Sequence, residues 1–157
     1  KYCFIEGPSP EYVAKRGTLQ SFSPTELKNY PVQGLGGEWM KAAMWNAVRA
    51  FYARRNFGGK ALLINTVHDA LYADSADEVA RDAGACIHAA MQGASDLIEY
   101  LFDHTLEVPV PSETTYGPNM ADEVHYPDNA GFEALAQTYR TDIRNTWMGG
   151  FTPSYLQ

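Results

Sequence analysis

Cysteine is scarce in this chain, and the two residues present form no pattern. Cys3 and Cys86 are the whole complement among 157 residues, and neither stands at a metal-ligand spacing. A disulfide scaffold and a zinc module are both excluded, and a reducing intracellular compartment is the expectation. Each cysteine reads as a small buried apolar residue. Long hydrophobic runs are also missing: no stretch approaches the roughly 20 apolar residues that span a bilayer, and no charged-then-apolar leader opens the chain. His88, His104 and His125 show no metal-binding spacing among themselves. There is no internal repeat and no low-complexity segment. The chain starts at Lys1, without an initiator Met, in a Gly-Pro-Ser-Pro loop, and so reads as an excerpt of something longer.

Basic charge is short overall but unevenly spread. The formal net charge is −7, yet residues 1–60 carry nine basic and four acidic groups, whereas residues 61–157 carry three basic and fifteen acidic groups. A polyanion would be met by the first third, and the remainder faces solvent, metal or a basic partner. A plain solvated face accounts for such an asymmetry equally well.

Apolar content of 45% is ordinary for a globular domain. Gly7, Pro8, Pro10 and Gly17 make the lead-in irregular, with a short helical turn at 10–15. Ser23-Pro24 with Glu26 has capping-box spacing and opens a short helix, which Pro31 and Gly34 interrupt. Leu35, Trp39, Met40, Ala43, Met44, Val48, Phe51 and Tyr52 then recur at three- and four-residue steps, predicting the buried stripe of a helix over 36–54. Ser75 and Glu78 form a second capping box, opening a helix that Gly93 ends or bends, and a further short helix covers 96–102. Leu106 to Val110 reads as an edge strand beside the hairpin, limited by Pro109 and Pro111. Tyr116 to Asn119 is a turn. A last helix over 130–146 aligns Phe132, Leu135, Tyr139 and Ile143, and Gly149-Gly150 stops it.

At the centre lies the stretch from Ala61 to Asp74. Leu62 to Val67 has strand propensity and Leu71 to Ala73 can pair back on it, which puts His68 and Asp69 at or beside a hairpin tip. A carboxylate on a rigid turn suits a hard cation such as Mg²⁺. Alone, the pair also fits a polar turn with a satisfied histidine.

Upstream, Asn29-Tyr-Pro31-Val-Gln33-Gly34 precedes a helical stretch, and His68-Asp69 follows 34 residues after Gly34. This order and spacing resemble the C-terminal palm of family A DNA polymerases, the polymerase I-like enzymes, in which an Asn-x-Pro-x-Gln-Gly segment and a long helix lead to a Val-His-Asp-Glu hairpin. Ser23-Pro24 and Gly117-Pro118-Asn119 lean toward the phage branch. The resemblance covers about residues 15–120. It implies an α+β fold, with helices packed on a small antiparallel sheet that carries the catalytic hairpin, as an incomplete polymerase palm. Residues 1–120 would form the C-terminal part of that palm with its adjoining helices, and 121–157 a C-terminal extension with one helix.

The resemblance also implies roles. Asp69 becomes a catalytic metal ligand in a two-Mg²⁺ site, the ions about 3.5–4 Å apart and clamped by carboxylates of different strands; the alternative is a turn-capping Asp. His68 becomes a contact to the primer 3′ end, or else a histidine hydrogen-bonded within the hairpin. Asn29 and Gln33 project from one helix face, where amides suit minor-groove acceptors without reading sequence; the alternative is backbone capping at Pro31. Lys15, Arg16, Lys28 and Lys41 are candidate DNA contacts, adding affinity without base selectivity, or solvated surface. Thr25 stands where bacterial members have Arg, so that contact is lost or supplied by Lys28.

Three family features are missing. Ala70 replaces the Glu that follows the aspartate, and neither the Asp-Tyr/Leu-Ser-x-x-Glu motif nor the fingers Lys is present. One carboxylate cannot build a two-metal site, so the chain is expected to be inactive alone. The implied partners are a complementary polymerase chain with the other catalytic Asp and the fingers, a DNA primer–template and dNTPs, with no membrane. The implied setting is the cytoplasm of a phage-infected bacterial host. The rival expectations are a non-catalytic DNA-binding scaffold derived from a polymerase, and a His-Asp metal phosphohydrolase, which needs further histidines at helical spacing.

Overall fold

The structure, a computed structural model, describes residues 24–126 and 130–149. The chain forms two compact units, Lys1–Glu38 and Trp39–Gln157. Its elements are helix α1 (Pro24–Ala53), a single turn α2 (Arg55–Gly59), strands β1 (Ala61–Val67) and β2 (Ala70–Ser75), helix α3 (Asp77–Phe102), two-residue strands β3 (Thr115–Tyr116) and β4 (Val124–His125), and helix α4 (Ala130–Gly149). The fold class is α+β: helices with small two-stranded antiparallel sheets. No described helix is long and apolar enough to cross a membrane.

In the second unit, α3 is the spine. Its middle is rich in small residues, and Ala83, Gly84, Ala85, Cys86, Ala89, Ala90, Gly93 and Ala94 are all buried. Short side chains let neighbouring helices approach closely, and the larger Phe51, Phe132, Tyr139 and Ile143 fill the space between them. Tyr126 lies flat against Gly84, where an added Cβ would stand 2.9 Å from the ring. Its hydroxyl donates to the Ala80 carbonyl at 2.8 Å, and its ring stacks on Phe132. Burial pushes the Cys86 thiol up to about 12, the nearby Arg54 guanidinium opposing, so the sulfur acts as neutral apolar filling.

Polar groups join the helices where alanine cannot. Asn46 is fully buried; its Nδ2 donates to the Ala90 carbonyl of α3 at 3.3 Å, and its Oδ1 accepts from Trp147 Nε1 of α4 at 3.1 Å. Arg140 of α4 grips Asp96 of α3 through two bonds of 2.7 Å. Tyr139 donates to Asp82 at 2.8 Å.

Several local expectations differ from the structure. α1 runs through Pro31 and Gly34 as one helix instead of breaking there. Its inward face in the second unit is Trp39, Met40, Ala43, Asn46, Ala47, Ala50 and Phe51, while Val48 and Tyr52 point outward; Leu35, in the first unit, is exposed as well. The apolar count alone placed the stripe one step round the helix, because it ignored small and amide side chains. α3 is likewise continuous through Gly93, whose missing side chain leaves ordinary contact room for Asn46. Ala76, not Ser75, is its N-cap, with no side-chain cap, and Asp77 and Glu78 favour the helix N-terminus by charge. The edge strand expected at 106–110 does not form; Pro109 and Pro111 lie in irregular chain. α4 matches expectation and buries Phe132, Ala136, Tyr139 and Ile143 against α3.

A left-handed turn delivers the chain from α1 to β1. Arg55, Asn56 and Phe57 have φ of 50°, 52° and 56°, followed by Gly58 and Gly59 at 72° and 82°. Each non-glycine residue there costs roughly 1–2 kcal/mol. Phe57 offsets part of that cost by packing edge-on against Phe51, with centroids 5.1 Å apart.

Two predictions test this account. Asn46→Ala removes the shared amide and strands the Trp147 indole N–H; chemical denaturation should show a loss of about 1–3 kcal/mol. At the left-handed turn, denaturation midpoints should rank Asn56→Gly at or above wild type, with Asn56→Val lower by about 1–2 kcal/mol.

Candidate functional site

β1 and β2 pair antiparallel from Ala61↔Ser75 to Val67↔Ala70, leaving His68 and Asp69 as a two-residue loop. Only the first of these has a positive φ, 53° at His68, the φ signature of a type II′ hairpin turn. Such a turn follows the right-handed twist of the strands, so the tip is held by ladder bonds on both sides. The register slips between Leu63 and Asn65, which leaves Ile64 as a bulge and sharpens the local twist. Ala61, Leu63, Leu71 and Ala73 fix one face of the hairpin to the core. At its base, the Ala76 amide donates to the Lys60 carbonyl at 2.8 Å, and Lys60 pairs with Glu78.

His68 and Asp69 are both exposed at this tip. Among the described residues neither side chain has a hydrogen-bond or ion-pair partner. The pair is held by backbone alone. Histidine is a poor residue for a positive φ compared with glycine, so local propensity does not explain its presence.

Asn29 and Gln33 lie four residues apart on α1, and both are exposed, as is Lys28. They project from one helix face, in the first compact unit, while the hairpin belongs to the second. Lys41 is exposed on α1 in the second unit. Lys15 and Arg16 lie outside the described residues. Among the described residues no group of three or more His, Cys, Asp or Glu side chains is gathered as a metal site. Asp69 therefore offers a single hard oxygen ligand, and Mg²⁺ would need others from elsewhere.

One polar cluster escaped the sequence reading. His88, buried on α3, meets Thr114 Oγ1 at 3.1 Å and Ser112 Oγ at 3.3 Å through Nδ1, and Gln92 at 2.9 Å through Nε2. Its ring stands edge-on to Phe132, and Glu133 is 3.7 Å away. The cluster pins the irregular chain after α3 back onto that helix. Apart from Gln92, one helical turn away, these partners lie 24 to 45 residues from His88, so no spacing could have revealed them.

Compared with protein-family models, curated proteins and solved structures, the chain matches none.

If the tip carries function and not stability, substitutions there should leave the fold intact. Asp69→Asn should shift unfolding by less than about 0.5 kcal/mol. His68→Gly should match or exceed wild type, because glycine suits the positive φ. A marked loss of stability in either would mean that the tip is structural.

Proposed function

We propose that the chain is part of a DNA-directed DNA polymerase of the family A, phage type, acting in DNA replication. One observation carries the reading: His68-Asp69 forms the two-residue tip of a core-anchored antiparallel hairpin, with neither side chain bonded to another of the described residues. The tip follows the helix that bears Asn29 and Gln33, in the order and at the spacing that resemble the polymerase palm.

In this reading Asp69 supplies one carboxylate of a two-Mg²⁺ site. Mg²⁺ held there together with carboxylates of the complementary chain would supply charge neutralisation for nucleotidyl transfer. His68, rigid beside it, contacts the primer terminus. Asn29 and Gln33 donate to the minor-groove acceptors that every base pair presents, and Lys28 and Lys41 meet phosphates. The other catalytic aspartate and the triphosphate-gripping fingers come from a complementary chain. Ala70, in place of the family's Glu, leaves the metal site with one acidic neighbour fewer. The setting is the cytoplasm of an infected bacterial host.

Ala70 also favours a second reading, in which the chain is a DNA-binding scaffold derived from a polymerase. A His-Asp phosphohydrolase is less well supported, because His88 is committed to Gln92 and Thr114 inside the fold.

Primer extension with Mg²⁺ and dNTPs separates the readings. The chain alone should be inactive, and extension should appear when a polymerase segment carrying the other aspartate and fingers is added. Asp69→Ala should lower that rate by about 10³-fold, the loss expected when several kcal/mol of metal-based stabilisation is removed. A mixture that binds DNA but never extends a primer would establish the scaffold instead.

A further inference from the structure

We draw no further inference here: the strongest candidate, the exposed face of α1 that bears Trp45, Val48 and Tyr52, carries none, because nothing in the structure shows what covers it.

Discussion

A buried amide joins the three helices of the second unit. Asn46 has no exposed surface, yet it satisfies a carbonyl of α3 and an indole of α4 from its place on α1. A buried amide in a medium of low dielectric is costly when unpaired and directional when paired, so it fixes the rotation of three helices at once. The alanine-rich surface of α3 could not do this. Small side chains allow close approach in many registers, and dispersion alone chooses weakly among them. Around the Asn46 junction, the Arg140–Asp96 pair sets α4 along α3, and Tyr139–Asp82 closes the end nearest the hairpin.

From that junction the positioning passes to the hairpin through strained backbone. Three consecutive non-glycine residues in the left-handed region are unfavourable unless packing over-determines them. Phe57 supplies that packing, with its ring between Phe51 and Tyr139, so the turn is tied to both α1 and α4. A flexible glycine linker would have joined the same elements at lower strain but left the direction of β1 loose. The cost is local and the gain is a tip whose position is set by the core. That arrangement suits a site in which ligand geometry must be held to fractions of an ångström.

Elements governed by neighbours in sequence were legible beforehand. The alternation and strand propensity of 62–73 gave the hairpin, and the spacing of Phe132, Tyr139 and Ile143 gave α4. Some misses concern helix breakers: Pro31, Gly34 and Gly93 disfavour a helix by about 3 kcal/mol for Pro and 1 for Gly, yet the helices run through all three. Gly93 lies in the packed middle of α3, beside Asn46. Asn46 itself was invisible, because an amide between apolar positions reads as surface until its partners, 44 and 101 residues away, are known. Of the candidate site, His68 and Asp69 could be placed from local pattern, whereas their isolation from other side chains could not. Asn29 and Gln33 were seen as one face even though the expected break between them does not occur.

The use of carboxylates in the fold bears on what Asp69 is for. Asp96 is taken up by Arg140, Asp142 by Arg54 and Asp82 by Tyr139, each within 2.7 or 2.8 Å of its donor. Each of these aspartates has at least one oxygen committed to a donor within the fold. Among the described residues Asp69 has neither oxygen engaged, at the tip of a paired hairpin. A single carboxylate exposed to water nevertheless holds Mg²⁺ weakly, because that ion gives up its hydration shell reluctantly and requires near-octahedral geometry. Useful affinity would arise only when further carboxylates converge on the same point. For a hairpin tip whose aspartate has no partner among the described residues, any metal affinity would thus depend on carboxylates brought from elsewhere.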